Sequence, residues 1–544
     1  MKKFIMTITI GLLVINLIAQ SAPETFKNPI LSGFYPDPSI CRVGDTYYMV
    51  NSSFEWFPGL PIHKSKDLVN WQKIGHGLHR PDQIIYKDKL KNSNGIFAPT
   101  IRYHNGTFYI ITTMVEQRGN FIITAKDPTG PWSDPMWIRD APGIDPSLFW
   151  ENDKCYYTGA GLIDNASKSW PGKNGIWMQE INPDKGILLG EKKMLTYGHA
   201  SNARWAEGPH LYKINGEYVL LIGEGGTSEF HAVTMFNSKN LWGPYIPNHA
   251  NPILTHRHLG YTYPIIQTGH ADLVQTQNGD WWSVMLAKRP VDGYSVLARE
   301  TFLAKVDITE QESGVTLIYN PGKGLVQTEQ KRPNLPWTPV VEIPKLDDFV
   351  AETLDLEWNF LRTPDLKDYS QQNGKLKITL KPETLSEWKN PSFIARRVKH
   401  HNFEASAAMT FKSGKVNEKA GLALYRKSSV HYQLLMRKNE IVLLKSTAKE
   451  INNERGIEEV IATVPYKGNN VVFKILGEGI KAKFYFGSNQ NQLQQIGNTQ
   501  DLSHFGDEIA WGFNGTYVGM YGTTSGVLSK KEVWFDWFNY QPTN

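Results

Sequence analysis

Within roughly the first 320 residues a polar turn is followed five times by a strand-like run of Tyr, Phe, Trp and Val. These runs are GDTYYMV from Gly44, NGTFYII from Asn105, NDKCYYT from Asn152, NGEYVLL from Asn215 and NGDWWSV from Asn278. Just upstream of each stands a second short run: YPDPSI, FAPTIR, IDPSLF, AEGPHL and GHADLV. Aligned on Pro38, Pro99, Pro146, Pro209 and Ala271, the units are spaced by 61, 47, 63 and 62 residues. A pair of motifs recurring at that period, with room for about four short strands in each unit, predicts the blades of a propeller. An ordinary sandwich of stacked hairpins has no reason to repeat the same pair five times.

The innermost strands of a propeller converge on its axis, so equivalent positions face one central pocket. The slot before each aligned Pro or Ala holds Asp37, Ala98, Asp145, Gly208 and His270, with Glu207 one step before Gly208. Three blades thus bring a carboxylate and a fourth an imidazole into strands otherwise built for burial. Ionised carboxylates are rarely buried without a purpose, because they lose more hydration than a core returns. Any one of them is explained by a turn cap or an ion pair; all three at equivalent slots point to a site. Glycoside hydrolysis needs such a set, one acid to protonate the leaving oxygen and one carboxylate to activate water or attack carbon. A third carboxylate can tune the pair, since crowded like charges push pKa values apart. The repeat alone leaves the division of roles open.

After Val306 the repeat dissolves, and residues 323–344, rich in Pro, Gln and Lys, are expected to be a linker between a propeller at 27–322 and a second domain at 345–544. That second region alternates apolar and polar residues in runs such as GKLKITL, FEASAAMTF, YQLLMRK and AKFYFG, which predict a jelly-roll-like, concanavalin-like β-sandwich. The fold class expected is therefore all-β.

The N-terminus sets Lys2 and Lys3 before an apolar run from Phe4 to Ala19 and the small residues Ser21 and Ala22. That order predicts a signal peptide at 1–22, hence export to the periplasm or the outside medium, and the run is too short and interrupted for a spanning helix. With a net charge of +5 and no block of basic residues, the chain lacks the electrostatic footprint of a nucleic-acid binder. Cys41 and Cys155 are the two cysteines and both lie in apolar runs, which favours two buried free thiols over a bridge.

NPILSGFYPDPSI, SSFEWFPGLPIHKSKDLVNW, GIDPSLF, EGPHLYKINGEYVLL, EGGT, TGHADLVQTQNGDWW and ARETFL together resemble glycoside hydrolase family 43, in its branch of β-xylosidases and α-L-arabinofuranosidases. FIARRVKHHNFEASAAMTF and GFNGTYVGM resemble the C-terminal domain of that branch. The resemblance implies Asp37 as general base, Glu207 as general acid and Asp145 as the residue that tunes and orients the acid. It implies inversion by a single displacement, with base and acid roughly 6.5–9.5 Å apart to admit a water. Arg299 matches a basic residue beside the base, its alternative being an ion pair with Glu300. His270 matches an axial residue that orients active-site groups or approaches a central calcium, other cation or water, although no cofactor is required for the reaction. Phe54 and Phe97 match positions around the terminal sugar, and Trp56 is either a further sugar platform or core. Phe97 stands in GIFAPT where common relatives carry GIWAPD, which alters the pocket. Phe513 matches a ring that reaches in from the sandwich. The activity implied is exo-hydrolysis of terminal α-L-arabinofuranosyl or β-D-xylosyl units of hemicellulose oligosaccharides, tilted toward arabinose by the change at Phe97 and the shortened TTMVEQRGN segment. Endo-arabinanase and a non-catalytic sugar-binding propeller are the alternatives.

Overall fold

The computed structural model describes residues 22–544 apart from 87–88, 164–168, 261, 313, 342 and 448–455. The expected signal peptide, save for Ala22, lies outside the described residues. Five antiparallel sheets of four or five strands each follow one another along the chain, as the repeat requires. The strands that carry or directly follow the upstream motif of each unit are Ser39–Val43, Thr100–His104, Ile144–Glu151, Glu207–Ile214 and Ile266–Gln275. Each pairs with the aromatic run after the turn: Tyr48 lies opposite Cys41, Tyr157 opposite Leu148 and Trp282 opposite Val274.

The ring is closed by chain ends far apart in sequence. Thr25–Lys27 pairs antiparallel with Glu329–Lys331, and Ile30 N donates to Thr301 O. The closing strand therefore falls inside the segment expected to be a linker. A three-residue strand flanked by polar residues carries too weak an alternation to stand out in sequence.

The C-terminal domain is two packed sheets, one of nine strands and one of eight. Alternate side chains of both sheets, among them Leu422, Leu434, Phe473, Phe484 and Phe535, fill the space between them. The eight-stranded sheet ends in a strand that belongs to the propeller: Phe57 pairs with Phe360 and Trp56 with Leu361. Of the two readings open for Trp56, platform or core, the structure shows the core. It is fully buried, stacks on Tyr517 at 3.6 Å and touches Phe393 and Tyr425. It is a packing element between the domains and does not line the cavity at the propeller axis.

Among the described residues the sole α-helix is the single turn Asp507–Ala510, and no helix is long and apolar enough to cross a membrane. Cys41 and Cys155 are buried and unbridged, in different blades.

Candidate active site

The slot identified in the repeat has a common backbone shape. Asp37, Asp145, Gly208 and His270 have φ of 51°, 52°, 57° and 50°, and the pairing register shifts at this point in the third, fourth and fifth blades. Three non-glycine residues in the left-handed region each cost of the order of 1 kcal/mol, strain that folds keep where a side chain must be aimed. The fourth blade shows why its carboxylate is displaced. A methyl group on Gly208 would stand 2.9 Å from His270 Cε1, so the slot there admits only glycine and the carboxylate is carried by Glu207. His231 backs the fifth blade, where its ring fills the space beside Gly269 and its Nδ1 contacts Gln267 O at 3.0 Å. Burial holds that imidazole neutral, down to about 3, so its Nδ1–H donates to the carbonyl.

Asp37, Asp145, Glu207, His270, Arg299, Phe54, Phe97 and Phe513 all line one cavity of about 780 Å³ at the propeller axis. Asp37 accepts a 2.7 Å hydrogen bond from Arg299 Nη1 and another from Ser52 Oγ, and Asp37 and Arg299 are both buried. Arg299 does not pair with Glu300, which is held by Arg289 at 2.7 and 2.8 Å. Instead its guanidinium lies over Phe54 at 5.2 Å and Phe513 at 5.1 Å. Phe54, Phe97 and Phe513 form a mutual cluster with centroids 5.1 to 5.8 Å apart.

The other two carboxyls sit in a different electrostatic setting. Burial raises Asp145 to about 6, with the charge of Asp37 adding, while His270, the Gly208 N–H at 3.2 Å and Arg299 pull the other way. Glu207 opens partly onto the cavity, yet burial, then the charges of Asp145 and Asp37, raise it well above the usual carboxylate range against Arg299. One carboxylate clamped by a cation and one carboxyl held toward its protonated form thus share a pocket. That pairing suits acid–base displacement at an acetal carbon.

The wall opposite the propeller comes from the sandwich. Asp507, Glu508, Trp511 and Phe513 line the cavity. Lys288 binds Asp507 at 2.6 Å, and Ser295 donates through N and Oγ to Glu508 at 2.9 and 2.8 Å. Beside them Glu55, fully buried, accepts from Asn92 at 3.0 Å, from Ser93 N at 3.1 Å and from Asn514 Nδ2 of the sandwich. The backbone N–H of Phe513 donates to Ser93 Oγ at 2.8 Å, so the ring's position is fixed from the propeller side.

Two groups of residues at or near the axis escaped the sequence reading. Lys288, Trp205 and Phe230 come from loops or strand ends, and Asp507, Glu508 and Trp511 from a helical turn and its C-cap, none of which a repeat marks. The second group had a usable signal. Two positions after each slot stand Ser39, Thr100, Ser147, His210 and Asp272, all buried, which form a second tier. Asp272 accepts from Arg102 at 2.8 and 3.2 Å, from Ser39 Oγ at 2.6 Å and from Tyr212 OH, and Arg102 Nη2 meets His210 Nδ1 at 3.0 Å. Burial alone would raise Asp272, but Arg102, His210 and these hydrogen bonds hold it well below the usual range. No group of three or more His, Cys, Asp or Glu among the described residues is arranged to hold a metal ion, and His270 faces the cavity beside Gly208 and Asp145.

Residues 26–313 match the family model described as glycosyl hydrolases family 43, and residues 346–541 match a β-xylosidase C-terminal concanavalin A-like domain. A xylosidase/arabinosidase of Butyrivibrio fibrisolvens is 40% identical over 523 residues, covering 95% of this chain and 99% of that protein. A non-reducing end α-L-arabinofuranosidase of Bacteroides ovatus is 36% identical over 549 residues, covering 99% and 98%. Among solved structures, a xylan β-1,4-xylosidase from Bacillus halodurans superposes with a TM-score of 0.87 at 34% identity, covering 95% of this chain and all of that one. With the catalytic domain matched across its five blades and the sandwich matched beside it, the chain belongs to glycosyl hydrolase family 43 and is a glycosidase.

Proposed function

We propose that the protein is an exo-acting, inverting α-L-arabinofuranosidase of hemicellulose oligosaccharides, with Asp37 as general base, Glu207 as general acid and Asp145 as the residue that tunes and orients the acid. The observation that carries this reading is the contrast inside one cavity. Asp37 is held by the Arg299 cation at 2.7 Å, whereas Glu207 is raised well above the carboxylate range. In the proposed reaction Asp37 takes a proton from water as its oxygen attacks the anomeric carbon. The glycosidic C–O bond breaks and its oxygen leaves with the proton of Glu207, all in one displacement.

Exo action is supported by the wall from the sandwich. Phe513 packs against Phe54 and Phe97 and closes that side of the pocket. A main activity on β-D-xylosides is the second reading, favoured by the match of residues 346–541 to a domain described from β-xylosidases. Arabinoxylan or xyloglucan fragments are the proposed natural substrates. Export to the periplasm or medium is proposed from the Lys2–Ala22 pattern alone.

Hydrolysis of 4-nitrophenyl α-L-arabinofuranoside and β-D-xylopyranoside, with Asp37→Asn and Glu207→Gln as controls, tests the assignment. Cleavage of at least one glycoside, lost in both variants, is expected, with NMR showing inverted product. Cleavage of neither, or full activity in either variant, overturns it.

A further inference from the structure

Five aromatic side chains among the described residues are more than a third exposed, and four of them, Trp205, Phe230, Trp511 and Phe513, line the cavity. Apolar rings gathered at one opening mark a surface kept for a ligand. Two of these rings also stand on strained backbone. Trp205 and Trp511, 37% and 62% exposed, both have φ of 50°. The left-handed region costs a bulky residue roughly 1–2 kcal/mol. Neither ring fills a core that would offset that cost.

Each is nevertheless held firmly. The Trp205 N–H donates to Gly172 O at 2.7 Å, and the Arg204 guanidinium lies 4.0 Å from the indole centroid. A methyl group on Gly172 would stand 3.2 Å from Trp205 Cε2 and one on Gly226 3.0 Å from Cε3, so the indole lies close against both glycines. Trp511 ends the turn Asp507–Ala510, its N–H donating to Asp507 O at 3.2 Å. That turn is anchored to the propeller by the pairs Lys288–Asp507 and Ser295–Glu508.

We propose that Trp205 and Trp511 form a leaving-group subsite, two aromatic walls from different domains that grip the pyranose ring to which the terminal pentose is attached. Flat indoles match the apolar C–H faces of a pyranose. The side is set by chemistry: the acid protonates the oxygen of the leaving sugar, and Trp205 precedes Glu207 by two residues. The inference rests on the glycosidase reading above.

Calorimetric titration in a Glu207→Gln background, which binds without turnover, separates the two sugar positions. Trp205→Ala and Trp511→Ala are each expected to weaken binding of xylotriose and an arabinosyl-xylotriose by about tenfold. Both should leave arabinose and xylose within about twofold, and phenylalanine at either position should restore most of the loss. Should an alanine variant not fold, Trp205→Leu or Trp511→Leu, which keep apolar volume without a flat ring, takes its place. Unchanged oligosaccharide affinity overturns the subsite, as does an equal loss for monosaccharides and oligosaccharides. Failure of the glycosidase reading shows separately, as absence of 4-nitrophenyl glycoside cleavage by the unmodified protein.

Discussion

Replacing Asp145 by asparagine tests how the proposed acid keeps its proton. Asp145 lies at about 6, so at the pH where Glu207 must still be protonated it carries a negative charge that discourages Glu207 from ionising. Asparagine removes that charge, while its side-chain oxygen can still accept the Gly208 N–H now donated at 3.2 Å. Two unit charges roughly 6 Å apart at an effective dielectric of about 20 interact by about 3 kcal/mol, or about 2 pH units. Because Glu207 is partly open to the cavity, a shift of about 1 unit is the working expectation. The sign follows from the charge: Glu207 loses its proton more readily, and the alkaline limb of kcat/KM moves to lower pH. The assay is kcat/KM against pH from about 4 to 9 on 4-nitrophenyl α-L-arabinofuranoside, for the parent and Asp145→Asn. At about pH 8 the variant should lose about tenfold beyond any loss at its optimum. An alkaline limb that stays in place, or moves upward, refutes a tuning role for the charge of Asp145.

Arg299→Met should lower kcat/KM by at least about 100-fold, because it leaves the buried Asp37 carboxylate without its cation, a change worth roughly 3–5 kcal/mol, and thermal melting should fall in step. Glu55→Ala should lower the melting temperature of the whole chain, since it strands the amides of Asn92 and Asn514 and the Ser93 N–H at about 1–3 kcal/mol each; an unchanged melting curve would show that the clamp is dispensable. Trp56→Ala should destabilise by about 3–5 kcal/mol in chemical denaturation with little change in KM, whereas a sugar platform at that position would raise KM instead. Asp272→Asn should also destabilise, by about 1–3 kcal/mol read in the same way, by leaving the half-buried Arg102 without its charge partner.

The five blades and the three carboxylates were legible because both are written in a repeat. The aromatic turn–strand pairs give the number of blades, and their alignment puts Asp37, Asp145 and His270 in one slot. The offset of Glu207 looks like an irregularity in the alignment and becomes intelligible only when His270 is seen to occupy the space beside Gly208. The second tier around Asp272 could have been reached by reading the same alignment two residues on. Contacts between domains had no such signal. Trp56 lies in a loop-like stretch, and nothing local says that its two-residue strand pairs with Phe360 and Leu361 about 300 residues later. Glu55, beside it, looks like a surface acid until Asn514 is brought to it. Such positions depend on long-range pairing, which neither period nor propensity encodes.

The pairing of Trp56–Phe57 with Asn359–Leu361 also bears on how this architecture can be cut and recombined. A sheet edge left without its last strand offers unpaired N–H and C=O groups to any other chain, and natural proteins cover such edges. Here the cover comes from the other domain. A sandwich transplanted onto a foreign enzyme would carry a sticky border unless the recipient supplied a matching strand, and a propeller released alone would present the indole of Trp56 to water. The two parts share an apolar cluster as well as this hem, so a cut between them opens a core and a sheet edge together.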